Sequence, residues 1–127
     1  MRTTLIISLL FGSFCSFAQR PVLENGIIQY SQSKFFNGSS ITLTRGTKED
    51  SAFAFVYIGS ASTAKSSLPA NWKNLTVHVE DVYKKGGKYY AKGDLYNGKR
   101  MIGLAGNKVI VDIERAIDNK EIVDSAQ

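Results

Sequence analysis

The sequence predicts an all-β fold, a small antiparallel barrel or sandwich of about six to seven strands that ends in a four-stranded meander. Three observations predict it. Asn97-Gly98, flanked by alternating apolar and polar residues, is the commonest signal for a two-residue hairpin turn. Gly106-Asn107 is a second hairpin-type turn, and both turns sort residues onto the same apolar face. The one cysteine, Cys15, falls in an N-terminal leader, so the remainder has a hydrophobic core and no disulfide to stabilise it.

The leader reads MRTTLIISLLFGSFCSFAQ. Arg2 gives a short positive start, residues 5–17 are apolar apart from small residues, and Ser16 and Ala18 stand at −3 and −1 of a cleavage before Gln19. The run is shorter than the ~20 apolar residues of a spanning helix. A lipoprotein signal at Cys15 calls for a small residue before it, where Phe14 stands. Residues 1–18 are therefore expected to be a signal peptide. Residues 19–127 are expected to form a single β-domain without a transmembrane segment, exported to the periplasm, the cell surface or the medium.

Pairing outward from Asn97-Gly98 sets Tyr96 against Lys99, Leu95 against Arg100, Gly93 against Ile102 and Ala91 against Leu104. One face is then Ala91, Gly93, Leu95, Ile102 and Leu104, and the turn at Gly106-Asn107 adds Val109, Val111 and Ile113 to it. Upstream, Leu75, Val77 and Val79 alternate, but the next apolar residue, Val82, comes three positions later. A β-bulge near Glu80-Asp81 restores the phase. With Gly86-Gly87 as the turn, Val82 then faces Ala91 and Tyr83 faces Tyr90. The meander is thus 75–83, 88–96, 99–105 and 108–115.

The first half is less regular. Residues 26–33 and 39–45 read as strands around Asn37-Gly38. Residues 52–58 are apolar on both faces, as in a central strand. Residues 46–51 form a polar turn. Residues 59–74 form the longest irregular segment, with room for one helical turn before Pro69 and with Trp72 closing one end of the core. The tail after Arg115 fits either a short helix or a last strand. An OB-like barrel is one arrangement that accommodates these elements.

The composition excludes several chemistries. Without cysteine, the domain has no thiol nucleophile, zinc–thiolate site or redox pair. His78, the single histidine, alternates with Val77 and Val79 and so points away from the core. No nucleophile elbow, phosphate loop or calcium loop is present. Asp94 and Asp112 flank Met101 on the outer face, two strands and roughly 10 Å apart, near the spacing of an inverting glycosidase pair. Among lysines, such carboxylates read first as cross-strand ion pairs. No catalytic residue, metal ligand or cofactor is assigned, and a small carboxylate-dependent hydrolase is the least supported reading. Asn37-Gly38-Ser39 and Asn74-Leu75-Thr76 match the short glycosylation pattern, which is common by chance.

The charge is local. Residues 82–108 carry seven basic groups against Asp94, whereas residues 109–127 carry two basic and five acidic groups. Within the basic stretch, Tyr83, Lys88, Tyr90, Lys92, Tyr96 and Lys99 fall on the outer face or at its turns. Tyrosines alternating with lysines stack on rings and neutralise anions together. The ordinary alternatives are a solvated sheet face and a second core covered by other strands. The expected function is a non-enzymatic binding or accessory domain whose partner is an anionic polymer, a glycan or an envelope protein. A different class is a structural subunit that docks on a partner protein through a strand edge or residues 59–74.

Overall fold

The computed structural model describes residues 20–60, 63–104 and 106–124; the expected leader, residues 1–18, lies outside the described residues. The fold is all-β, with a three-stranded sheet set against a curled antiparallel sheet that forms a half-barrel. The small sheet holds β1 (Val22–Glu24), β2 (Ile27–Tyr30) and β3 (Ser33–Phe35) in that order. The large sheet comprises β4 (Ser40–Leu43), β5 (Val56–Ser60), β6 (Thr63–Ser67), β7 (Thr76–Lys85), β8 (Lys88–Asn97), β9 (Arg100–Ile102), β10 (Lys108–Asp112) and β11 (Ile122–Asp124). Its spatial order is β11-β4-β7-β8-β10-β5-β6, with β9 on β8. One helix, α1 (Ile113–Asp118), and a 3-10 turn (Ala70–Trp72) complete the described chain.

The β7–β8 hairpin is the spine of the half-barrel. Its turn is Gly86-Gly87, with φ of 59° and 80°, and glycine takes positive φ without steric cost. Val82 faces Ala91 and Tyr83 faces Tyr90, as the alternation requires, and the register shifts between Val79 and Asp81. The expected bulge is therefore present, and Val77, Val79 and Val82 are all buried. Opposite the bulge, Gly93 leaves no room for a side chain: a Cβ there would lie 2.1 Å from the His78 carbonyl oxygen.

The meander's last strand, expected over 108–115, stops at Asp112, where α1 begins, and its pairing departs from expectation at two points. The loop after β8 is Gly98-Lys99, not Asn97-Gly98, so that Asn97 faces Arg100 and Leu95 faces Ile102. Gly98 has φ 67°, as the first position of a type II′ turn requires. The register moves by two residues, so every side chain keeps its expected face. Secondly, β10 pairs with β8 rather than with β9. β9 covers residues 95–97 of β8, and β10 covers residues 90–93 of the same edge. The neighbour of β8 thus breaks at the level where the bulge and Gly93 bend the hairpin, and the expected four-stranded meander becomes three strands and a stub.

In the first half, Ser31 and Gln32, both at positive φ, form a tight turn that splits the expected strand 26–33 into β2 and β3. The expected strand 52–58 begins only at Val56, because Ala54 and Phe55 give their N–H groups to the Glu121 carboxylate. The expected irregular segment 59–74 contains β6, and its helical turn follows Pro69 instead of preceding it. Trp72 packs against the core, as expected.

The tail is both a helix and a strand. Helix α1 ends in a Schellman arrangement: Lys120 N–H donates to Ile117 O at 3.0 Å and Glu121 N–H to Ala116 O at 2.8 Å. This reversal aims Glu121 inward. Its side chain is fully buried and accepts hydrogen bonds from Thr47 N, Thr47 Oγ1, Ala54 N and Phe55 N at 2.6–2.9 Å.

The core lies between the two sheets. Ile28, Tyr30 and Phe35 enter from the small sheet, and Ile41, Leu43, Val77, Leu95, Val109 and Val111 from the large one. Each fully buried aliphatic or phenyl side chain of this kind contributes about 1.5–3 kcal/mol. Tyr30 also donates from its hydroxyl to Asp118 Oδ1 at 2.7 Å, which ties the small sheet to α1.

Candidate ligand face

Residues of one parity along β7, β8, β10 and β5 point away from the core and form the convex face of the half-barrel. The pairing sets Lys85 beside Lys88, and Tyr83 beside Tyr90 and Asp112. The next row is Asp81, Lys92, Ile110 and Tyr57. Beyond it come His78 beside Asp94, and then Thr76, Tyr96 and Met101.

The six sequence-predicted residues do not gather into one site. Tyr83, Lys88, Tyr90 and Lys92 share the turn end of the hairpin. The Tyr83 and Tyr90 rings stack at 5.4 Å between centroids, 27° from parallel. Tyr96 lies six residues further along β8, about 20 Å away by strand rise, and is stacked on His78 at 3.9 Å and 13°. Lys99 sits in the Gly98-Lys99 turn, exposed, at that far end.

Between the two ends stands an ion-paired row. Lys108 Nζ lies 2.8 Å from both Glu80 and Asp94. Alternation with the buried Val79 places Glu80 on the convex face, and the bulge after it brings Asp81 onto that face as well. Hydrogen bonds to Asp94 and then Glu80 raise the Lys108 ammonium well above its ordinary value. The expected spacing of Asp94 and Asp112 is corrected here: they lie on adjacent strands, because β10 pairs directly with β8. Asp94 is level with Lys108 and Asp112 with Tyr90, about 13 Å further along the strand. Asp94 is committed to its ion pair.

Asp112 is buried, only 3% exposed, at the start of α1. Burial raises its carboxyl above the ordinary value, and the Arg115 backbone N–H and the charges of Lys88 and Arg115 oppose the rise. Tyr57 and Tyr90 flank it, and both hydroxyls are raised, first by burial and then by the Asp112 charge. Tyr83 is raised by burial and by Tyr90. Arg115 adds a cation whose Cζ lies 6.0 Å from the centre of the Phe55 ring.

The turn end is therefore an aromatic patch of Tyr57, Tyr83 and Tyr90 with Lys88, Lys92 and Arg115 around it. Among the described residues none of these three cations forms an ion pair. Asp81, the facing acid, accepts the N–H of Val82 at 2.9 Å. Sequence reading missed Tyr57 and Arg115, which reach the patch only through the long-range pairing of β5 with β10 and through α1. Their signals, an aromatic in an apolar strand and a cation after it in the tail, are too common to single out. No group of three or more His, Cys, Asp or Glu side chains that could hold a metal occurs among the described residues. No helix among them is long and apolar enough to cross a membrane.

Comparison with protein-family models, curated proteins and solved structures finds no match for the chain.

Proposed function

We propose that the chain is an exported, non-enzymatic binding domain that holds an anionic polymer or charged glycan at the turn end of the β7–β8 hairpin. One observation carries this reading. The stacked Tyr83–Tyr90 pair is bordered by Lys88 and Lys92, which have no ion-pair partner among the described residues, whereas Lys108 on the same face is neutralised by two carboxylates. Aromatic area beside cations that form no ion pair among the described residues suits a ligand with rings and negative charge. Tyr96 and Lys99 lie outside this narrower site.

The test is binding of heparin and of a single-stranded oligonucleotide over a salt series, with a Lys88→Ala/Lys92→Ala variant alongside. The expected result is salt-sensitive binding whose slope of log K against log salt falls by about 1.4 in the variant, the value for two neutralised phosphates on a single strand. Absence of binding at low salt, or an unchanged slope, would sink the proposal.

A second reading, docking on a partner protein, is favoured by Val22 and Ile27, which are 51% and 37% exposed on the outward face of the small sheet. It predicts a mass that rises with concentration in sedimentation and falls back when Val22 is changed to Lys.

A further inference from the structure

The half-barrel leaves a cleft of about 660 Å³ between β3, β11 and the end of α1. Volumes of this order accommodate small organic ligands. The cleft is remote from the tyrosine patch: Asn74 at its wall precedes β7, while Tyr83 is nine residues on, about 30 Å by strand rise.

Its lining is divided by chemistry. Arg45 and Lys120 stand at one end, and neither forms an ion pair among the described residues. Ile117, Ile122 and Val123 supply an apolar wall. Asp124, two residues beyond Ile122, also lines the cleft, and its Oδ2 accepts the Lys34 backbone N–H at 3.4 Å. Lys120 and the acid are thus four residues apart, about 13 Å at strand rise.

The backbone adds two facts. Leu43 bonds to Leu75 and Asn74 on its β7 side, and Thr44 N–H to Glu121 O on its β11 side. By the alternation of an antiparallel ladder, the N–H and C=O of Ile122 then face away from β4, toward the free edge at the cleft. In addition, Lys120 occupies the left-handed position after α1, φ 61°, where glycine is favoured. It is held there by its own N–H to Ile117 O and by the Thr44 hydroxyl, which donates to its carbonyl. A long cationic side chain at a site that prefers none indicates that the side chain has work in the cleft it lines.

We infer that this cleft binds a small organic carboxylate with an apolar body. The carboxylate sits between Arg45 and Lys120 and takes the edge N–H of Ile122, and the apolar body lies on Ile117, Ile122 and Val123.

Amide chemical-shift titration of the whole protein with octanoate tests this, with octylammonium as the opposite-charge probe. Octanoate should give saturable shifts confined to residues around 44–45, 74 and 117–124, and octylammonium none there. Lys120→Gly keeps the left-handed backbone and removes the cation, so it should weaken octanoate by about tenfold without lowering the melting temperature. Arg45→Gln, at an exposed position, should act likewise. Equal binding of both probes, shifts elsewhere, or unchanged affinity in both variants would overturn the inference. A Tyr90→Ala variant should bind octanoate as the wild type does, which separates this site from the tyrosine patch.

Discussion

In the β7–β8 hairpin, nine facing pairs and a diglycine turn hold two ten-residue strands. Residues 44–55 have almost no ladder of their own, and the carboxylate of Glu121 takes three backbone N–H groups and one hydroxyl from them. Both regions contain a glycine that no other residue replaces: a Cβ on Gly93 meets the His78 oxygen at 2.1 Å, and one on Gly46 meets the Ser51 oxygen at 2.1 Å. The hairpin spreads its stability over many weak contacts near in sequence. The segment concentrates it in one distant, fully desolvated side chain. A region of the first kind degrades gradually when changed, and one of the second kind fails at a single position.

The largest expected effect follows from that concentration. Glu121→Ala strands the part-buried N–H donors of Thr47, Ala54 and Phe55, and should cost about 3 kcal/mol in urea unfolding. A loss below about 1 kcal/mol would show that water replaces the carboxylate and that the contrast is false. On the hairpin side, Gly93→Ala forces backbone apart at the bulge and should cost about 3 kcal/mol. Alanine replacements at exposed hairpin positions such as Lys84 should stay within about 0.5 kcal/mol.

Tyr30→Phe removes one long-range tie, the bond to Asp118, at a cost of about 1 kcal/mol at neutral pH. The Tyr30 hydroxyl is pushed up to about 12 by burial, by that hydrogen bond and by the charges of Asp118 and Glu114. Its contribution is complete below the ordinary tyrosine value of about 10 and is lost as pH rises through about 12. The wild type should therefore lose its advantage over the variant across that alkaline window.

Among the described residues Asp112 is the other buried carboxylate, and it lacks the donor cradle of Glu121. Because burial raises its folded value, the folded chain keeps a proton that the unfolded chain has released. Its contribution falls as pH rises through that interval and is least favourable above it. Asp112→Asn should lie within about 1 kcal/mol of wild type at neutral pH, and its standing relative to wild type should worsen on acidification. Smallest of all, Lys108→Ala removes a partly exposed ion pair, and should cost less than about 1 kcal/mol and shrink further with salt.

The same contrast explains what was legible in the sequence. Around the diglycine turn, the three-residue gap between Val79 and Val82 revealed the bulge, and Tyr83 opposite Tyr90 followed from counting. The two-residue slip at Gly98-Lys99 escaped because it leaves every face unchanged. The pairing of β10 with β8, and of β5 with β10, was illegible because alternation reports faces and not neighbours. Of the candidate site, the stacked tyrosines and Lys88 and Lys92 were legible. Tyr57, Asp112 as their neighbour, and Arg115 were not. Glu121 reads as one more acid in an acidic tail, since nothing local marks a carboxylate whose donors lie 66–74 residues away.

That separation also sets an order of events in time. A ribosome adding roughly 5–20 residues per second needs about 4–15 s to pass from Thr47 to Glu121. Throughout that interval the hairpin can form from neighbouring residues, while residues 44–55 wait without the acceptor their amides require. The nascent chain thus remains open on one side until Glu121 has been synthesised.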